Sequence, residues 1–145
     1  MSSPRLHFVV PGSLDQRTGG YLYGAQMVEG LRARGWKVRV HELPGRFPDP
    51  DERARAALVG TLESLPGGSL VVLDGLAMGL LPEPVAHASE RLRVLGLVHH
   101  PLAEETGLEE EDRARYEKLE RRTLASCRGV VVTSDFTAER VEHYG

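Results

Sequence analysis

Short apolar runs alternate along this chain with longer stretches of mixed character, a pattern that predicts strands and helices in succession. Leu6-His7-Phe8-Val9-Val10, closed by Pro11-Gly12, reads as a strand covered on both faces, since a half-exposed strand would alternate apolar with polar residues. A polar loop follows through Thr18. From Tyr21 to Arg34 the small or apolar positions Gly24, Ala25, Val28 and Leu31 recur at spacings of three and four, which marks one face of a helix. Gly35 stands where a left-handed cap would end that helix. Trp36 to Val40 then alternates as a strand until Leu43-Pro44-Gly45 breaks it.

The remaining two thirds of the chain repeat the scheme. Asp49-Pro50-Asp51-Glu52 predicts a helix start with Asp49 as N-cap, Pro50 in the first helical position and acids in the first turn. That helix extends to about Leu65, where Pro66-Gly67-Gly68 stops it, and Leu70-Val71-Val72-Leu73 forms a central strand. After a loop at Asp74-Gly75, Pro82 to Leu92 reads as a helix and Val94 to Val98 as the fourth strand. Thr106 to Glu109 has the spacing of a capping box, Glu110, Glu111 and Asp112 load the following turn with acid, and Arg121, Arg122 and Arg128 crowd the far end. The stripe Tyr116, Leu119, Thr123, Leu124 and Cys127 makes Cys127 a small core residue rather than a nucleophile. Gly129 to Thr133 is the fifth strand, and Ser134 caps a last helix reaching His143.

Five apolar strands alternating with helices define an α/β fold: a Rossmann-like open parallel sheet of at least five strands with helices on both faces and right-handed crossovers. In such sheets ligands bind beyond the carboxyl ends of the strands, at the point where strand order reverses. The loops from Pro11 to Gly20 and from His99 to Gly107 are therefore the candidate site.

Length and charge narrow the class of partner. A chain of 145 residues is expected to fold as a single domain, 1–145. With 27% charged residues and a net charge of −3, neither disorder nor a nucleic-acid-coating surface is expected, which leaves a small molecule or another protein as partner. One cysteine permits no internal disulfide and no cysteine metal cluster. No apolar run approaches the ~20 residues of a membrane span, so membrane contact is expected to be at most peripheral and the location cytoplasmic.

Several familiar chemistries lack their motifs: there is no G-x-G-x-x-G after the first strand, no G-x-x-x-x-G-K-[ST] and no G-x-S-x-G elbow. Two features remain. Thr18-Gly19-Gly20 opens the first helix, where paired glycines let an anion approach the free amides and the positive end of the dipole; the plainer account is a turn without a ligand. His99-His100-Pro101 leaves the fourth strand directly, and one imidazole of the pair is expected to reach the crevice, where it can exchange hydrogen bonds with a sugar hydroxyl. Two adjacent histidines without a third ligand nearby in sequence do not predict a metal site. Tyr21 and Tyr23 stand beside the glycines, either as walls of an acceptor pocket or as simple packing. The acidic run from Glu109 to Asp112 is accounted for by the helix dipole.

Taken in order, Thr18-Gly19-Gly20 leading into a helix that ends Leu31-Arg32-Ala33-Arg34-Gly35-Trp36-Lys37-Val38, then Leu97-Val98-His99-His100-Pro101, then Val131-Val132-Thr133-Ser134, resemble the N-terminal half of GT-B-fold glycosyltransferases of the retaining family 4 (group 1). The resemblance covers nearly the whole chain. It implies a transferase that moves a sugar, hexosyl or similar, from a nucleotide-sugar donor with retention, without a metal or other cofactor. This chain would be the acceptor-side domain, facing a sugar or sugar-lipid acceptor. It would be inactive without the C-terminal donor-binding half, which the sequence through Gly145 does not contain. His99 is then the catalytic residue, and Thr18, Gly19, Gly20, Tyr21 and His100 are substrate-binding. The alternative is a standalone, non-catalytic Rossmann-like module for a small anionic or sugar ligand.

Overall fold

The computed structural model describes residues 3–12 and 19–143. Its strands are β1 (Arg5–Pro11), β2 (Lys37–Leu43), β3 (Leu70–Asp74), β4 (Arg93–Val98) and β5 (Gly129–Val132), all parallel, in the order β2-β1-β3-β4-β5. The helices are α1 (Gly19–Ala33), α2 (Glu52–Ser64), α3 (Gly75–Met78), α4 (Pro82–Ser89), α5 (Glu110–Ala125) and α6 (Asp135–Glu142). The architecture is an α/β, Rossmann-like open parallel sheet with helices on both faces, and strand order reverses between β1 and β3.

Alternation along the strands sorts the core into two layers. Phe8, Val10, Val38, Val72 and Leu97 point toward α1 and pack with Val28. Val9, Leu43, Val71, Leu73 and Val94 point the other way, onto Leu58 and Leu62 of α2, Val85 of α4 and Leu124 of α5. Such two-sided burial is why these strands read as unbroken apolar runs. A third, smaller cluster joins Leu80, Leu102, Ala103 and Tyr116 beneath the segment that follows β4. No helix among the described residues is long and apolar enough to cross a membrane.

Helix ends show where local signals succeed and where tertiary contacts override them. At Gly35 (φ 91°) the chain takes the left-handed cap: the Trp36 amide bonds the Leu31 carbonyl at 3.0 Å and the Gly35 amide bonds that of Arg32 at 3.1 Å. Ser134 caps α6 through the Thr137 amide. The α2 cap, however, is Asp51 and not Asp49. The Asp51 carboxylate accepts both the Ala54 amide (2.8 Å) and the Arg46 amide (3.2 Å), while Asp49 turns outward to an ion pair with Arg115 of α5. The capping box at Thr106 also does not form. Gly107 (φ 83°) turns the chain between Thr106 and the helix, and α5 starts after Glu109, which makes no side-chain cap. Cys127 lies beyond the end of α5 and still packs, partly buried, against the core. The segment at Asp74-Gly75, expected as a loop, is the start of α3, because Asp74 caps it through the Leu76 amide; α4 stops at Ser89, short of Leu92.

Candidate functional site

Three elements meet at the carboxyl end of the sheet on the α1 side. In β4, Leu95 and Leu97 face α1, and two residues further the same alternation carries His99 to that face. In the neighbouring β3, Leu70 and Val72 face the same way, followed by Asp74, which is paired in register with Leu97. The two side chains converge: Oδ2 of Asp74 lies 3.3 Å from Nε2 of His99. From above, the ring of Tyr23 in α1 meets the imidazole edge-on, with centroids 5.7 Å apart and planes inclined at 76°. His99 is thus held between a carboxylate and an aromatic ring while remaining 18% exposed.

Asp74 is only 5% exposed, so its charge must be compensated locally. One oxygen accepts the Leu76 amide at 2.9 Å at the head of α3, and the other takes the imidazole. An ionised carboxylate only accepts, which puts the His99 proton on Nε2 and leaves Nδ1 as the acceptor nitrogen. Nδ1 makes no hydrogen bond with the described residues.

The backbone behind the ring is pinned as well. The His99 carbonyl accepts from Oγ1 of Thr137 (3.1 Å) and Oγ1 of Thr133 (3.5 Å), and Thr137 is itself held by Ser134, the α6 cap. On the far side of Pro101, the buried carboxylate of Glu120 in α5 accepts the Leu102 amide through both oxygens, at 3.2 and 3.3 Å. His99 is therefore placed by α5, α6 and β3 together, a rigid setting of the kind that catalytic or binding groups require.

The other expected site residues fall as follows. Thr18 lies outside the described residues. Gly19 and Gly20 are the first two residues of α1, followed by Tyr21, and no acid occupies that first turn to offset the positive end of the helix dipole. His100 is exposed, whereas His99 is half-buried. The sequence reading missed Asp74, treated there as part of a loop, and also Thr133 and Thr137. A usable signal for Asp74 was an acid ending an apolar strand immediately before a glycine, since only an N-cap or a ligand contact makes burying it tolerable. Among the described residues, no three His, Cys, Asp or Glu side chains are placed to share a metal ion.

The sequence matches no protein-family model and shows no significant similarity to a curated protein. The class that fold and site define is therefore that of Rossmann-like α/β domains with an Asp–His pair at the carboxyl end of the sheet.

Proposed function

We propose that this chain is the acceptor-side domain of a retaining glycosyltransferase that moves a sugar from a nucleotide-sugar donor, and that His99 works at the reacting centre. The observation that supports this reading is the Asp74–His99 pair beside the switch point, with Tyr23 on the imidazole and the glycine pair starting α1 nearby in the chain. With Nε2 bound to Asp74, Nδ1 can accept a hydrogen bond from a sugar hydroxyl, and if the ring takes up a proton there the carboxylate stabilises the imidazolium. The amides at the start of α1 suit an anionic donor or acceptor group. The donor half, with most of the nucleotide-sugar contacts, would be a separate domain, and a sugar or sugar-lipid would occupy the crevice of this one.

The test joins this domain to a donor-binding half and follows release of nucleoside diphosphate from nucleotide-sugars, with the anomeric configuration of the product assigned by NMR. Acceptor-dependent transfer with retention is the expected outcome. The 145-residue chain alone should bind nucleotide-sugars weakly or not at all, because a ligand gripped from two sides loses most of its contacts with one wall gone. Micromolar binding of a nucleotide-sugar by this chain in calorimetry would mean that the donor site has been given to the wrong half. Sugar binding by the chain, with no transfer in any two-domain form, would favour the non-catalytic module instead.

A further inference from the structure

The opposite end of the sheet carries a different chemistry. Arg5, Lys37 and Arg93 are the first residues of β1, β2 and β4, and Arg128 directly precedes β5, so the amino edge of a parallel sheet is fringed with cations. Arg5 and Lys37 are register partners on adjacent strands, as are His7 and Arg39 behind them. Two concave basins open here. One of about 570 Å³ is lined by Arg5, Arg32, Lys37 and Arg39, with Trp36 among its apolar walls. The other, of about 500 Å³, is lined by Arg93 and by Gly67-Gly68-Ser69. They share Arg5, His7 and Pro66, and no carboxylate lines either one. In a chain whose net charge is −3, this is a strong local reversal of sign.

Part of this charge has a structural use, because α1 and α2 point their carboxyl ends toward this edge and cations there satisfy free carbonyls. Arg32 donates to the Val38 carbonyl at 2.8 Å, Arg93 to that of Gly68 at 3.0 Å, and Arg91 nearby to those of Leu62 and Leu65 at 2.7 Å. Arg5, Lys37 and Arg39 differ: all three are exposed, and none forms an ion pair or a side-chain hydrogen bond with the described residues. Capping does not explain them. Arg5 on β1 and Lys37 and Arg39 on the adjacent β2, strands ~4.8 Å apart, are three cations without a partner among the described residues; they repel one another and are relieved by an anion with several charges.

We propose that this amino-edge groove is a binding site for a small ligand carrying two or more linked phosphate groups. Guanidinium groups match phosphate oxygens in bidentate fashion, and a run of cations across neighbouring strands suits a chain of phosphates better than a single carboxylate. Concavity favours a bounded ligand over a bilayer or a duplex, since basins of this size fall within the ~300–1,000 Å³ typical of small-molecule sites. Trp36 adds an apolar wall for whatever the phosphates are attached to. The site is separate from the Asp74–His99 end of the sheet and does not depend on the reading given for that end.

Trp36 is the chain's only tryptophan, so its fluorescence reports on this groove alone. Titration with inorganic tripolyphosphate should change that fluorescence saturably, with a one-to-one stoichiometry by calorimetry. The double substitution Lys37→Ala/Arg39→Ala should weaken binding by about tenfold or more, equivalent to ~1.4 kcal/mol. Arg115→Ala/Arg122→Ala, which removes two cations of α5, should leave it within about twofold. If the first pair lowers the melting temperature, Arg5→Gln reads the same groove and should also weaken binding. Equal losses in both double variants, or no saturable signal, would overturn the proposal. So would co-sedimentation with phosphatidylglycerol vesicles that persists in saturating tripolyphosphate, since it would assign the patch to a membrane surface.

Discussion

Oδ2 of Asp74 lies 3.3 Å from Nε2 of His99 while Oδ1 accepts the Leu76 amide at 2.9 Å, so a single carboxylate starts α3 and fixes the imidazole. The substitution Asp74→Asn separates these two duties. The amide oxygen can still cap α3, but the amide nitrogen then donates toward Nε2 and drives the ring proton to Nδ1. ¹⁵N NMR of the histidine ring should show His99 changing from the Nε2–H to the Nδ1–H tautomer, with melting within a few degrees of the wild type. An unchanged tautomer would show that the carboxylate does not orient the ring.

In a two-domain enzyme, His99→Ala should cost far more turnover than His100→Ala, because only His99 lies between Asp74 and Tyr23 while His100 is exposed. Loss of one preorganised hydrogen-bonding group corresponds to ~2–4 kcal/mol in transition-state stabilisation. Parallel rate measurements decide this, with circular dichroism as the folding control; a greater loss at His100 would reverse the assignment.

Gly45→Val should destabilise the fold by roughly 2 kcal/mol or more. Gly45 has φ 102°, and a Cβ there would stand 2.5 Å from the backbone nitrogen of Ala54, a collision that no rotamer relieves. Urea unfolding measures the loss. A variant of wild-type stability would mean that the turn before α2 shifts freely.

Protonation of the β1–β2 edge should weaken the fold in mild acid. His7 Nδ1 and His41 Nε2 lie 2.9 Å apart, and both imidazoles are pushed below the ordinary 6.5, first by burial. Arg39 adds to the effect on both, and His7 adds to that on His41. Because the folded-state values are the lower ones, the unfolded chain binds protons first as pH falls through 6.5. Stability is therefore fully present above that value and declines below it, until the folded form also protonates. His7→Gln/His41→Gln should lose less unfolding free energy between pH 7.5 and 5.5 than the wild type; an equal loss would place the acid sensitivity elsewhere.

Cys127 should react slowly with iodoacetamide at pH 8, because burial pushes its thiol up to about 11 and little thiolate is present. Rates close to those of a small free thiol would contradict the packing of this residue against the core.

Much of this molecule was legible one segment at a time. Val9 and Val71 announced covered strands because both of their faces are buried, and the Gly35 and Ser134 caps were visible because their hydrogen bonds close within a few residues. Where an end depended on something distant the local signal failed. Asp49, expected as the α2 cap, is instead paired with Arg115, 66 residues away, and Asp51 caps the helix. The site divided in the same way: His99 stood out at the end of its strand, whereas Asp74, 25 residues earlier, gained meaning only as its neighbour.

By itself the sequence determined the kind and succession of the elements, since the periodicity of apolar positions records which faces of each segment leave water. Tertiary structure alone decided the order β2-β1-β3-β4-β5, and with it the side-by-side placement of β3 and β4 that brings Asp74 against His99, and of β1 and β2 that joins Arg5 to Lys37. Strand neighbours are chosen by the packing of whole layers and the closure of long connections, and nothing in the spacing of residues within one segment encodes that choice.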